Sequence, residues 1–170
     1  RALFEFPKPV VAAVNGHAIA GGSVLAAACD RRIMAKGGGR VGVPELLVGV
    51  PVPPLALEVV RCLLAGPAFH EAVATGRTYS AEEALARGFV DELVEPAALP
   101  GRTFDAAREL GAIDRTAWAL TKREIRGPFV SAAAKAQEAL GGEIERAWTA
   151  PETLEGIRRY VEKTFRKGKP

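Results

Sequence analysis

The sequence predicts an α/β protein, with alternating strands and helices over its first 95 residues and helices after them. One observation is the order of blocks near the start. An apolar, β-branched block at residues 9–14 leads through a glycine turn into a helix-forming stretch at 24–29, and a second strand-like block follows at 31–36. Strand, helix and strand in this order are typical of an α/β layer. The other observation is the helical pattern that continues from residue 96.

The individual strands and helices follow from local sequence signals. Residues 9–14 are uncharged and continuous, which indicates a buried strand, and Asn15-Gly16 is a turn dipeptide that ends it. Ser80 and Glu83 form a capping box that begins a short helix. Pro151 is favoured in the first turn of a helix and begins the last one. The remaining predicted elements are a strand at 40–43, helices at 55–64 and 68–74, a short edge strand at 89–94, and helices at 97–110, 114–126 and 129–148.

The composition of the 170 residues is that of a globular domain: 48% are hydrophobic, 25% charged and 6% aromatic. It excludes a disordered, collagenous or membrane protein. No apolar run approaches the roughly 20 residues of a membrane-spanning helix, and no signal peptide opens the chain. We therefore expect no membrane partner and a location in the cytoplasm or an organelle matrix. Cys29 and Cys62 stand singly, without metal-ligand spacing, so we expect core packing and no metal.

The net charge of +3 is concentrated at the C-terminus. Residues 151–170 hold six basic and three acidic side chains, an excess equal to that of the whole chain. The patch lacks interleaved aromatic residues or a known nucleic-acid module, so we expect no nucleic-acid partner. A solvated helix end, with cations near the negative end of the dipole, is the simplest interpretation.

The turn Ala20-Gly21-Gly22 stands before an apolar helix. Such a turn can serve tight packing, or its free amide groups at the helix N-terminus can bind an anion or a developing oxyanion. The glycine spacing does not match a dinucleotide-binding fingerprint or a phosphate-binding loop. Ser–His hydrolysis is not indicated for Ser23 and His17, because there is no GxSxG elbow and no acid to complete a triad.

The segment from Lys8 to Asp30, KPVVAAVNGHAIAGGSVLAAACD, resembles the signature of the crotonase superfamily, the enoyl-CoA hydratase/isomerase family. In that family KPVIAAVNG leads into a glycine-rich turn, a helix and a terminal CD. Further landmarks follow in the family's order. They are GVPELLVGV at 42–50, similar to FGxPExxLGI, then TGRTYSAEEALARGFVD at 75–91, similar to TGxxxxAxEAxxxGLVD, and YVEK at 160–163, similar to FxEKR.

The resemblance implies a ClpP/crotonase-like spiral of ββα units, with residues 1–95 as the C-terminal part of the spiral core. Residues 96–170 would form a helical region for trimerisation, in a homotrimer or a dimer of trimers. Since Lys8 matches the middle of the family's chain, we expect an N-terminal part to be missing. The expected length is about the C-terminal two-thirds of an enzyme, with the first oxyanion donor and the adenine-binding segment upstream of residue 1.

The resemblance also implies an active site for acyl-CoA thioesters, with coenzyme A as part of the substrate and no separate cofactor. Two backbone N–H groups hold the thioester oxygen as it gains negative charge, and the Gly21 N–H matches the second of them. The lysine that matches Lys163 reaches the CoA phosphates, often in a neighbouring subunit. Gly22, Val24, Pro44 and His17 are expected to line the substrate pocket.

Family hydratases use two glutamates, and this chain keeps one of them. The first position is Val24, which cannot exchange a proton, and the second is Glu45. A single acid suits the family's Δ3,Δ2-enoyl-CoA isomerases, in which it moves one proton between C2 and C4. An apolar Val24 would help to raise the pKa of that acid. After Gly49 the chain also departs from the glycine-rich run of many hydratases, so the acyl group stays open.

The resulting hypothesis is an isomerase-type enzyme of the enoyl-CoA hydratase/isomerase family. Its catalytic groups would be Glu45 and the Gly21 N–H. The first alternative is an enoyl-CoA hydratase, a lyase of fatty-acid degradation, because hydration is the commonest activity of the family. An alternative of another class is a non-catalytic acyl-CoA-binding or scaffold protein, which the loss of an acid at Val24 would favour.

Overall fold

The computed structural model describes the backbone of residues 1–165 and the side chains of residues 1–162. The strands are β1 (Val11–Val14), β2 (Ala18–Ile19), β3 (Arg31–Ala35), β4 (Arg40–Gly42), β5 (Thr78–Ser80) and β6 (Glu92–Val94). The helices are α1 (Gly21–Ala27), α2 (Pro54–Leu63), α3 (Gly66–Thr75), α4 (Ala81–Ala86), α5 (Leu99–Gly111), α6 (Arg115–Thr149) and α7 (Pro151–Phe165). Short 3₁₀ helices span Glu45–Val48 and Pro96–Ala98.

The strands form two small sheets of three strands each. One has the order β1-β3-β6, and its neighbours are parallel. The other has the order β2-β4-β5, in which β2 and β4 are parallel and β4 and β5 antiparallel. The chain alternates between the two sheets from β1 to β4, β5 then stays beside β4 in the second sheet, and β6 returns to the first. Helix α1 connects β2 to β3. Repeated passage of the chain between two sheets is expected of a spiral of strand and helix units.

The main hydrophobic core lies between the two sheets and the helices that cover them. Its fully buried members include Met34 from β3, Val41 from β4, Val60 from α2 and Tyr79 from β5. A second cluster joins α1 and α2 to the chain's start and to α6, and its buried residues are Phe4, Ala27, Ala28 and Val59. The helical region is thus packed directly on the strands and on α1.

Most of the predicted elements are confirmed within a few residues of their bounds. The capping box is present: the Ser80 hydroxyl accepts from the Glu83 N–H at 3.2 Å, and the Glu83 carboxylate accepts from the Ser80 N–H at 2.9 Å. The edge strand is β6, which pairs with β3 alone in the part of the chain that the structure describes. The short strands β2 and β5 were not predicted, because two or three residues leave no clear periodicity.

The prediction of two separate helices around Pro128 is wrong. One helix, α6, runs through Pro128 without interruption. Proline removes one backbone N–H from a helix, but Pro128 is exposed, so the carbonyl left without a donor can be hydrated. Buried contacts hold the helix on both sides: Lys122 and Arg126 before the proline, and Phe129 and Val130 after it. Packing therefore overrides the local signal.

A buried ion cluster fixes α6 to the end of α1. The Asp30 side chain is only 7% exposed, and its oxygens meet Lys122 Nζ at 2.6 Å and Arg126 Nη2 at 2.8 Å. One of them also accepts from the Val10 N–H at 2.8 Å. Arg126 donates further hydrogen bonds to the carbonyls of Phe4, Ala28 and Cys29. The Asp30 carboxylate is therefore fully paired, which is the condition for burying a charge.

Candidate active site

The glycine turn connects β2 to α1 through a strained residue. Ala20 has φ 55° and ψ −122°, and among the residues that the structure describes it is the only non-glycine residue with positive φ. Its N–H donates to the carbonyl of Gly42 at 2.9 Å. Gly21 is the first residue of α1 and is exposed. Within the described residues its N–H has no acceptor, so this donor is free to bind an oxyanion.

Glu45 is the buried acid of the site. It opens the 3₁₀ helix that follows β4, and only Val43 and Pro44, both buried, separate it from that strand. Glu45 is 6% exposed, and no described residue hydrogen-bonds its Oε2 atom. Burial raises the pKa of the Glu45 carboxyl, and a hydrogen bond from its own backbone N–H opposes the rise. A buried carboxyl with one unpaired oxygen is suited to accept and return a proton.

The parallel pairing of β2 and β4 brings the two groups to the same edge of their sheet. Ile19 pairs with Gly42 in the register. Gly21 follows two residues after Ile19, and Glu45 follows three residues after Gly42. Since both strands run in the same direction, the Gly21 N–H and the Glu45 carboxyl lie beyond the same end of the sheet. This carboxyl edge is where α/β folds commonly bind their ligands.

The predicted pocket residues differ in exposure. Val24 is half-buried on α1 and packs against both core clusters, so it also serves the core. Gly22 is half-buried, and a Cβ built there would lie 3.9 Å from Ala18 Cβ. Pro44 is buried beside Glu45, whereas His17 is exposed in the connection before β2. The side chain of Lys163, the predicted CoA contact, lies outside the described residues.

Sequence reasoning missed the role of Ser23. This side chain is 1% exposed, and its Oγ donates to the carbonyl of Ala18 at 2.6 Å while it accepts from the N–H of Gly42 at 2.9 Å. A buried hydroxyl committed in this way is not a nucleophile, which agrees with the exclusion of Ser–His hydrolysis. A small polar residue within the apolar run 18–29 was the only sequence signal.

Helix α7 packs against the helix that carries the acid. A Cβ built on Gly156 would lie 2.9 Å from the carbonyl oxygen of Val48, so the two backbones touch at this point. A groove of about 770 Å³ lies between the two helices. Its lining includes Leu47, Gly49, Thr153, Gly156 and Tyr160.

Two further findings concern the described residues only. They contain no group of three or more side chains arranged to hold a metal ion. None of their helices combines the length and apolarity needed to cross a membrane.

The two sheets between which the chain passes, the glycine turn and the buried acid define a crotonase-fold protein. The fold matches that of an enoyl-CoA isomerase of Mycobacterium tuberculosis, with a TM-score of 0.77, 34% identity, and coverage of 84% of this chain and 62% of that one. An enoyl-CoA hydratase, EchA3, of Mycobacterium marinum gives the same TM-score and identity, with coverage of 84% and 63%.

The family model described as enoyl-CoA hydratase/isomerase matches residues 1–167, and the chain belongs to this family. The probable enoyl-CoA hydratase echA17 of Mycobacterium avium is 37% identical over 162 residues, which are 95% of this chain and 56% of that protein. A carnitinyl-CoA dehydratase of Salmonella paratyphi A is 39% identical over 108 residues, or 64% of this chain and 40% of that protein. The chain thus spans little more than half the length of echA17.

Proposed function

We propose that the protein isomerises enoyl-CoA thioesters by moving one proton with Glu45. The observation that carries the proposal is the buried acid Glu45, which has an unpaired oxygen among the described residues and lies at the same sheet edge as the free Gly21 N–H. Val24 stands at the position where the family's hydratases have their other glutamate. One acid suffices for a reaction that relocates a double bond without adding water.

The proposed reaction begins with a 3-enoyl-CoA bound with its thioester oxygen at the Gly21 N–H. The Glu45 carboxylate removes a proton from C2, and the electron pair left there is delocalised into the thioester oxygen as a dienolate. The same carboxyl then returns the proton to C4, so that the C3–C4 double bond becomes a C2–C3 double bond. Atoms and charge balance, and no second reactant is consumed.

The environment of each group supports its proposed step. Burial raises the pKa of Glu45 and so moves it toward neutral pH. A group that both takes and gives a proton is most effective when its pKa lies near the working pH. The Gly21 N–H supplies a fixed donor for the charge that develops on oxygen. Loss of one such donor typically costs about 2.7–4 kcal/mol of transition-state stabilisation.

Hydration of 2-enoyl-CoA is the second candidate. It is favoured by the names of relatives, echA17 and EchA3, which are called enoyl-CoA hydratases. It requires water to be activated by Glu45 alone, since Val24 offers no second acid. A non-catalytic acyl-CoA-binding protein is the remaining alternative, and the unpaired buried oxygen of Glu45 argues against it, because a binder gains nothing from that cost.

Assembly and CoA contacts form part of the same proposal. We propose a homotrimer or a dimer of trimers, supported by large apolar side chains that α6 leaves exposed, Leu120, Ile125 and Leu140. Lys163 is proposed to contact the CoA phosphates.

The test is an assay of the intact protein with a 3-enoyl-CoA and, separately, with a 2-enoyl-CoA. We expect the double bond of the first to migrate faster than the second is hydrated. Rapid hydration of the 2-enoyl-CoA without migration in the 3-enoyl-CoA would establish the hydratase instead. Binding of an unreactive acyl-CoA by calorimetry, without turnover of either substrate, would establish the non-catalytic binder.

A further inference from the structure

We infer that Ser23 is a positioning residue that holds the Gly21 oxyanion donor in register with Glu45. The inference rests on the proposed function and adds to it a residue that does not touch substrate. Ser23 is the third residue of α1, two positions after Gly21. Its hydroxyl joins α1, which begins with Gly21, to β4, which leads to Glu45.

Ser23 Oγ makes two hydrogen bonds, one as donor and one as acceptor. The hydroxyl proton goes to the carbonyl of Ala18 in β2 at 2.6 Å, and a lone pair receives the N–H of Gly42 in β4 at 2.9 Å. At 1% exposure the side chain has no competing water on its surface. One atom therefore links α1 to the two parallel strands from which the site is built.

Gly42 is the last residue of β4. Its N–H is held by Ser23, and its carbonyl accepts from the Ala20 N–H at 2.9 Å. On its other side, a Cβ would lie 2.7 Å from the carbonyl of Arg77 and 2.8 Å from Thr78 Cα. Gly42 is thus enclosed between the glycine turn and β5, so the strand cannot shift without breaking these contacts. Glu45 follows three residues later.

Ala20 has a strained backbone. Its φ of 55° lies in the left-handed region, which side chains with a Cβ rarely adopt, so the surrounding contacts must hold it there. The bond from Ser23 fixes Ala18 before the strained residue, and α1 continues after it. Without the Ser23 hydroxyl, the turn loses one of the contacts that oppose its relaxation. The Gly21 N–H would then change direction relative to Glu45.

The experiment replaces Ser23 by alanine in the intact protein. Complete loss of an oxyanion donor lowers kcat by about 10²–10³-fold, so a misdirected donor is expected to lower it by about tenfold. The KM should change by less than about twofold, since the acyl-CoA contacts remain. A direct readout is the stretching frequency of a ¹³C-labelled thioester carbonyl in bound acyl-CoA, which should move from its bound value toward its free value in Ser23→Ala.

The matched control is Ser80→Ala. It also removes a hydroxyl that hydrogen-bonds a backbone N–H, that of Glu83, but its hydroxyl bonds only within its own helix N-terminus in the described structure. We expect this control to lower the unfolding temperature without changing kcat or the carbonyl frequency. Ser23→Cys keeps a hydrogen-bonding group at this position, although the thiol is weaker and larger than the hydroxyl, so its kcat should fall between those of wild type and Ser23→Ala. It also serves if the alanine variant does not fold.

The outcomes separate the inference from the function on which it rests. If wild type isomerises the substrate and shifts the carbonyl frequency, but both Ser23 variants keep the wild-type kcat and frequency, the positioning role is wrong. If wild type shows neither turnover nor a carbonyl shift, the proposed function itself is wrong, and the inference fails with it. A fall in kcat with a matching carbonyl shift, absent in Ser80→Ala, supports the inference.

Discussion

Two regions of the molecule bury a carboxylate, and they treat it in opposite ways. At the end of α1, Asp30 is paired with Lys122 and Arg126 and also accepts a backbone N–H. After β4, Glu45 is also buried, but its Oε2 has no partner among the described residues. The charges of the Asp30 region are therefore paired. In the Glu45 region the free energy cost of burying the carboxyl is not compensated, and the neighbouring glycine turn has backbone strain at Ala20.

The difference supports the proposal that the Asp30 region serves folding and the Glu45 region serves chemistry. The paired acid, Asp30, holds its neighbours in place through its ion pairs. An unpaired buried acid has a raised pKa and an oxygen free to take a proton. Exchanging each acid for its amide should therefore produce opposite patterns of lost activity and lost stability.

The largest expected effect is on turnover in Glu45→Gln. The amide keeps the shape of the side chain but cannot accept the proton, so kcat should fall by about 10²–10⁴-fold. Unfolding by urea should show equal or greater stability than wild type, because a neutral group avoids the cost of burying charge. Glu138→Gln, on the exposed surface of α6, is the control and should leave turnover unchanged. Normal turnover in Glu45→Gln would remove Glu45 from the mechanism.

The reciprocal change, Asp30→Asn, should reduce stability. It leaves Lys122 and Arg126 buried without a counter-charge, so the free energy of unfolding is expected to fall by about 3–5 kcal/mol. The control is Asp105→Asn, which breaks the exposed pair with Arg108 and should cost less than about 1 kcal/mol. Equal losses in the two variants, measured by urea unfolding, would show that the Asp30 cluster contributes no more than a surface pair.

The pH dependence of stability offers a sharper test of the Glu45 environment. Because the pKa of Glu45 is raised in the folded state, its protonated form stabilises the fold below the ordinary glutamic acid pKa of about 4.3. That contribution is lost as the pH rises through the raised pKa. We expect the stability of Glu45→Gln relative to wild type to increase over this pH window, in urea titrations at successive pH values. A constant difference would indicate a solvated carboxyl.

The smallest expected effect is in Ala20→Gly. Glycine adopts positive φ freely, so relief of strain should outweigh its greater flexibility when unfolded and raise stability by about 1 kcal/mol. Ala26→Gly, within α1, is the control, and it should lower stability by about 1 kcal/mol. Thermal unfolding of both variants gives the comparison. A loss of stability in Ala20→Gly would show that the alanine side chain contributes more packing than strain.

The sequence was sufficient to predict most of the strands and helices in their order, the capping box at Ser80 and the candidate residues Gly21 and Glu45. These depend on local patterns or on motifs read in sequence order. It did not reveal the bonds of Ser23, because Gly42 lies 19 residues away and the pairing of β2 with β4 brings the two together. The unpaired state of Glu45 and the partners of Asp30 likewise depend on long-range packing.

Pro128 shows that a clear local signal can also be overridden by tertiary packing. The local rule that proline ends a helix is sound for an isolated segment. In α6, however, buried groups before and after the proline fix the helix against the core at both ends. Such support from tertiary contacts has no signature in the residues next to the proline.

The Asp30 cluster also bears on the order in which the molecule folds. Lys122 and Arg126 follow Asp30 in the chain by 92 and 96 residues. During synthesis, the strands and α1 therefore leave the ribosome long before the cations that neutralise Asp30 exist. Contacts of such long range form late, after the entropy of closing a large loop has been overcome. We therefore expect the first 95 residues to form an incompletely packed intermediate until α6 has left the ribosome. The native packing would be completed only after α6 has been synthesised.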